Sequence, residues 1–217
     1  MSHITLVRHG QANSGARDEE SYDKLSPLGH VQAEWLGAHL RGSRAHHTRV
    51  YAGTLTRHIE TAASAGFTES VTRDSRLNEM EYFALATCLE EQKGLPIPRA
   101  REGFVDHLPQ VYAAWEAGEI AGPPESWRDF ESRVASALAE IAAGEGPAIV
   151  FTSGGVIAMA MRLALELDTL GMARITLGIM NSSMTRLYPI GGHLSPVLFN
   201  AVPHLEDPER HHAQTHL

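Results

Sequence analysis

Ile4-Thr5-Leu6-Val7-Arg8-His9-Gly10-Gln11-Ala12 joins a short apolar run to an arginine, a histidine and a glycine with no spacer. A run of β-favouring residues without polar alternation predicts a strand buried on both faces, the kind that parallel sheets contain. Arg8 and His9 then stand at its carboxyl end, where open α/β sheets bind ligands. The guanidinium of Arg8 offers a fixed fork of donors suited to phosphate, and a neutral imidazole beside it offers a nucleophilic ring nitrogen. Gly10 lets the backbone come close to whatever sits there.

Outward from this stretch, strand, turn and helix recur. Ser26 and Pro27 predict the cap and first position of a helix carrying Val31, Trp35, Leu36 and Leu40. His30, in its first turn, reads as a surface residue. Arg49-Val50-Tyr51-Ala52 leads through Gly53 into a second helix with Arg57 in its first turn, where a cation opposes the helix dipole unless an anion is bound. His58 reads as structural. Glu69 to Arg73 predicts an edge strand, Pro147 to Thr152 another buried strand, and Ser153-Gly154-Gly155-Val156 the turn into an apolar helix reaching about Leu165. Asn181 to Leu187 and Pro196 to Ala201, divided by Gly191-Gly192, predict an edge hairpin. From Phe83 to Pro124 the alternation stops among Pro96, Pro98, Pro109, Pro123 and Pro124, which predicts a mostly helical insertion over residues 83–124. Phe83, Phe104, Tyr112 and Trp115 are its candidates for lining a site, with packing of the cap onto itself the commoner use for most of them. The tail over about residues 203–217, rich in His, Glu, Pro and Gln, is expected to be loosely ordered.

A chain of 217 residues, 43% hydrophobic, can bury a full core and is expected to form one domain over residues 1–217. Its net charge of −8 excludes a sequence-independent nucleic-acid binder, so a phosphate pocket must be a local arginine cluster in an acidic protein. Cys88 is the only cysteine, which excludes an intramolecular disulfide and fits a reducing compartment. No stretch resembles a signal peptide or reaches membrane-spanning length, so a cytoplasmic protein without a membrane partner is expected. His46-His47 and His211-His212 lack companion ligands at coordinating spacing, and no metal or other cofactor is assigned. Nothing in the sequence bears on oligomeric state.

Arg8-His9-Gly10, Leu25-Ser26-Pro27-Leu28-Gly29, Arg57 with Thr61-Ala62, Leu77-Asn78-Glu79, the insertion, Ser153-Gly154-Gly155 and Asn181-Ser182-Ser183-Met184-Thr185 follow one another in this order. Together they resemble the histidine phosphatase superfamily, the phosphoglycerate mutase-like proteins, and in particular its bacterial phosphatase branch. The resemblance implies a three-layer α/β/α sandwich with an inserted, mostly helical cap. It also implies a metal-independent, acid-type phosphohydrolase acting on a phosphomonoester through a phosphohistidine. In that scheme His9 is the nucleophile and Glu79, or else Glu81, protonates the leaving group. Arg8, Arg57, Ser153 and Gly154 bind the phosphoryl group, and Gln11, Asn13 and Asn181 support them. The partners implied are a phosphorylated small molecule or phosphoprotein and inorganic phosphate.

One position departs from the pattern. The family's second histidine, which donates hydrogen bonds to the transferred phosphoryl group, falls at Ser153. A charge-assisted hydrogen bond contributes roughly 1.5 to 3 kcal/mol, so its loss implies an enzyme slower by on the order of tenfold to a few hundredfold. Ser153→His is then expected to raise turnover. The alternative is a phospho-ligand binding protein without turnover. A mutase is disfavoured because Ser14 and Gly15 stand where mutases carry a tryptophan and an asparagine. A serine hydrolase acting through Ser153 is weaker still, since Phe151 replaces the first glycine of Gly-x-Ser-x-Gly and Arg8-His9 is left unexplained.

Overall fold

The computed structural model describes residues 2–13, 16 and 18–216. Ser14 and Gly15, on which the argument against a mutase turned, lie outside the described residues.

Six strands form one mixed sheet: β1 (Ile4–Arg8), β2 (Arg49–Ala52), β3 (Val71–Arg73), β4 (Ala148–Thr152), β5 (Met184–Ile190) and β6 (His193–Ala201), in the spatial order β3-β2-β4-β1-β5-β6. The first four in that order are parallel, while β5 joins β1 antiparallel and continues into the β6 hairpin. β1 and β4 are buried at every residue, as their unbroken apolar runs predict. Their side chains divide by the period of two. Ile4, Leu6, Ala148 and Val150 enter one core, and Val7, Ile149 and Phe151 the other.

Helices cover both faces. α2 (Pro27–Gly42) and α3 (Thr56–Ser64) place Leu36, Leu40 and Ala62 on the smaller core. α6 (Trp127–Ala143), α7 (Gly154–Leu165) and α8 (Thr169–Gly178) build the larger one with Phe130, Val134, Ile157 and Met172. Ser26 caps α2 by accepting from the Gly29 N–H, with Pro27 at the first helical position. The insertion contains α4 (Tyr82–Lys93) and α5 (Arg101–Glu116). A short α1 (Glu19–Tyr22) meets it, the Glu19 carboxylate accepting from the Phe83 N–H at 2.9 Å. Tyr112 and Trp115, candidate lining residues by sequence, belong to the main core and pack on Trp127.

The tail departs from expectation. Pro203–Leu205 and Pro208–Ala213 form 3-10 turns that bury Leu205 and Ala213 against Leu28, Trp35 and Met180. Gln32 donates to the Ala213 carbonyl at 2.7 Å, and the Arg210 guanidinium lies over the Trp35 ring. Two apolar residues and these two contacts order a segment whose composition is polar.

His204 in this tail is buried, its Nε2 2.8 Å from Ser182 Oγ. Burial, with His39 and Arg210 nearby, lowers its pKa to about 3. The folded value lies below the unfolded one of about 6.5, so the unfolded chain takes up the proton first. Stability from this group is complete above about pH 6.5 and is lost as pH falls toward the folded value, by about 1.4 kcal/mol per pH unit. Urea denaturation at pH 7 and pH 5 is expected to show a smaller loss for His204→Asn than for the wild type; equal losses would contradict the assignment.

Candidate functional site

The site lies where the carboxyl ends of β1 and β4 meet. Arg8 pairs with Thr152 across the two strands, and the His9 N–H donates to the Thr152 carbonyl at 2.9 Å, so the next residues, His9 and Ser153, leave the sheet side by side. Two motifs distant in sequence meet here because both contain glycine. A Cβ on Gly10 would lie 2.3 Å from the Gly29 carbonyl oxygen, and one on Gly29 would lie 2.1 Å from that of Gln11. The loop after β1 is therefore pressed onto the first turn of α2. Thr61 Oγ1 accepts from the Gly10 N–H at 3.0 Å, and Gln32 Oε1 accepts from the Gln11 N–H at 2.7 Å. Gln11 Oε1 in turn accepts from the Ser26 hydroxyl.

His9 is 1% exposed. Its Nδ1 stands 2.7 Å from the Gly10 carbonyl, which can only accept, so Nδ1 carries the proton and Nε2 presents its lone pair. Burial, then the charges of Arg57 and Arg8, hold the ring well below the usual histidine pKa, and it stays neutral. Asn181 Nδ2 and the Ser182 N–H both donate to the His9 carbonyl, at 3.3 and 3.2 Å, and fix the backbone that carries the ring.

Both arginines are buried, Arg8 at 6% and Arg57 at 2% exposure. Arg8 donates from its guanidinium to the Ile179 carbonyl, and its Nε has no partner. Arg57 pairs with Asp23 at 3.0 Å, lies 5.0 Å from the centre of the Tyr22 ring, and likewise leaves Nε unpartnered. Asp23 also accepts from the Thr56 and Arg57 N–H groups. The anion that an arginine in the first turn of α3 requires is thus supplied by a side chain of the chain itself, one that the sequence did not single out.

Glu79 reaches the amino terminus of α7, where its Oε2 accepts from the Gly155 N–H at 3.0 Å. A Cβ on Gly155 would stand 2.2 Å from its Oε1, so this glycine gives the carboxylate its room. Glu79 and Glu81 line, with Glu19, Glu20, Asp23, Leu55, Arg57 and Met80, a cavity of about 340 Å³; Glu79 is half-buried and Glu81 exposed. Gly154 lies under Arg8, the position of its absent Cβ being 3.6 Å from Nε. Asn13 donates to the Ser21 carbonyl at 3.0 Å, which ties the loop to α1.

Ser153 is fully buried, and His58, read from the sequence as structural, stands against it: Nε2 and Oγ are 2.6 Å apart. The His58 and His9 ring centres are 5.9 Å apart. An imidazole thus stands against position 153 from α3. Among the described residues no group of three or more His, Cys, Asp or Glu could hold a metal ion.

Asp23 closes both an ion pair and a helix terminus. Asp23→Ala is expected to lower stability by about 1 to 3 kcal/mol, and exposed Glu20→Ala by less than about 0.5 kcal/mol, in urea denaturation followed by circular dichroism.

The family model for the histidine phosphatase superfamily (branch 1) matches residues 4–202. Among solved structures, a phosphoserine phosphatase mutant from Entamoeba histolytica in complex with phosphoserine superposes with a TM-score of 0.68 at 19% identity, over 94% of this chain and 100% of that one. Mycobacterial glucosyl-3-phosphoglycerate phosphatase with inorganic phosphate gives 0.66 at 24% identity, over 95% and 100% of the two chains. The same enzyme with VO3 gives 0.64 at 26%, over 93% and 100%. No curated protein sequence matches the chain.

Proposed function

The chain belongs to branch 1 of the histidine phosphatase superfamily, and from that premise we propose that it removes the phosphoryl group from a small phosphomonoester through a phosphohistidine at His9. The observation that carries this reading is a neutral imidazole whose Nδ1 is tied to the Gly10 carbonyl while two buried guanidinium groups flank it. Such an arrangement presents a nucleophilic nitrogen to a dianion that the arginines attract.

In this reading Arg8, Arg57 and the open N–H groups at the start of α7, beside Ser153 and Gly154, take the phosphoryl oxygens. His9 Nε2 forms a bond to phosphorus as the ester P–O bond breaks, and Glu79 gives its proton to the departing oxygen. Water then attacks phosphorus as it gives a proton back to the Glu79 carboxylate, the P–N bond breaks, and inorganic phosphate leaves. Glu79 is preferred to Glu81 because the Gly155 N–H at the start of α7 holds its half-buried carboxylate, whereas Glu81 is exposed. Gln11 and Asn181 support the loop that carries His9, and Asn13 steadies the same loop from α1. No step uses a metal. The phosphoserine and phosphate bound by the structural neighbours support a small substrate. A reducing, cytoplasmic setting suits Cys88, the single and half-buried thiol.

A serine hydrolase is not favoured. Ser153 is fully buried, and His58 Nδ1 lacks the third group that orients the base of a Ser-His pair.

Hydrolysis of an aryl phosphate without added metal tests the proposal. His9→Ala is expected to lower turnover by a factor on the order of a thousand or more. Because the folded His9 pKa lies below the ordinary value, kcat/KM should hold level as pH falls through about 6.5, where an unperturbed histidine nucleophile would begin to lose tenfold per unit. An acid limb centred at or above that pH would count against a buried neutral His9.

A further inference from the structure

His58 is fully buried on α3, and nothing in the reaction so far uses it. Its environment is built for a ring. Gly53 has no side chain where a Cβ would stand 2.1 Å from His58 Nδ1, so the imidazole lies flush against the turn after β2. Nε2 is 2.6 Å from Ser153 Oγ, and Nδ1 has no hydrogen-bond partner. An unpaired buried N–H donor is rarer and costlier than an unpaired acceptor lone pair. The proton therefore sits on Nε2 and is donated to Ser153 Oγ.

Ser153 itself behaves unusually for its position. It is the N-cap of α7, where a serine hydroxyl normally accepts from an amide of the first turn. Here it makes no such bond, and the Gly155 N–H donates to Glu79 instead. The Ser153 hydroxyl is thus turned from its own helix to His58. With the oxygen accepting from Nε2–H, its hydrogen must point elsewhere. The strand register sets Ser153 beside His9, and the next residue, Gly154, lies under the Arg8 guanidinium.

We propose that His58 is a positioning residue that orients the Ser153 hydroxyl to donate a hydrogen bond to the phosphoryl group held between His9 and Arg8. The pair spans two elements and 95 residues, and supplies from α3 the imidazole that position 153 lacks. Burial, then the charge of Arg57, keeps His58 neutral, so it acts as a donor of fixed direction and not as a second cation. The inference rests on the phosphatase reading of His9.

The test is steady-state hydrolysis of an aryl phosphate by the wild type, His9→Ala, Ser153→Ala, His58→Leu, His58→Gln and the double variant His58→Leu/Ser153→Ala, with urea midpoints to confirm folding. Ser153→Ala and His58→Leu are each expected to lower kcat by about tenfold to a hundredfold with KM changed by less than about threefold. The double variant should be no slower than either single one. His58→Gln, which keeps an N–H donor at comparable reach, should recover kcat to within about fivefold of wild type. Losses that multiply in the double variant, a folded His58→Leu with wild-type kcat, or a folded His58→Gln as slow as His58→Leu would each overturn the proposal. Should His58→Leu fail to fold, Ser153→Ala and His58→Gln carry the comparison. Orthovanadate affinity by calorimetry separates the two readings. Wild type that binds vanadate without turnover refutes the phosphatase reading alone, and the same non-additive pattern is then sought in Kd, its absence overturning the His58 assignment. Wild type that neither binds vanadate nor turns over overturns both.

Discussion

Two guanidinium groups are buried at the end of a parallel pair of strands, and only one of them has a carboxylate. Arg57 has Asp23, while Arg8 is held by the Ile179 carbonyl and is in no ion pair among the described residues. A guanidinium does not neutralise, so burying it without a full complement of partners costs several kcal/mol. The surrounding structure is arranged to hold that charge in place. The Tyr22 ring faces Arg57, α7 begins beneath Arg8, and the imidazoles of His9 and His58 are kept neutral nearby. An arriving phosphate dianion would give both arginines the partner that each Nε lacks. Affinity for the anion and cost to the empty fold are two sides of one arrangement.

The glycines of the site work by room more than by conformation. Gly10, Gly29, Gly53 and Gly155 have no positive φ. Each stands where a Cβ would fall 2.1 to 2.3 Å from another group: the Gly29 carbonyl, the Gln11 carbonyl, the His58 ring and the Glu79 carboxylate respectively. These contacts bring the loops after β1, β2 and β4 to one point. Side chains at any of them would separate the elements that the chemistry needs together.

Much of this was legible in the sequence because its signals are local. The buried runs of β1 and β4, Ser26-Pro27 at the start of α2 and the Ser153-Gly154-Gly155 turn all declare themselves within a few residues. The resemblance to a family then brought Arg8, His9, Arg57 and Glu79 to one place. What escaped depends on pairing across long separations. Asp23 lies 34 residues from Arg57, and His58 lies 95 from Ser153. Neither has a sequence neighbour that marks it. The contact of Ser153 with His58 escaped because the two lie on separate elements. Aromatic residues in an insertion look alike whether they face a cavity or a core: Tyr112 went to the main core, while Trp115 joins that core and also lines a cavity with Glu79 and Glu81. The tail looked loose because composition averages over Leu205 and Ala213, the two residues that anchor it.

The tail also bears on when the site comes into being. Gln32, which accepts from the Gln11 N–H, donates to the Ala213 carbonyl and to Thr215 Oγ1. Thr215 further accepts from the Asn181 N–H and donates to its Oδ1, and Asn181 holds the His9 carbonyl. A nascent chain emerges amino end first, so Arg8 and His9 are made well before Asn181, Ala213 and Thr215. During synthesis β1 must also wait for β4 and β5, its neighbours on either side. A ribosome-bound chain that has not yet reached Asn181 holds the two arginines and the histidine without these braces.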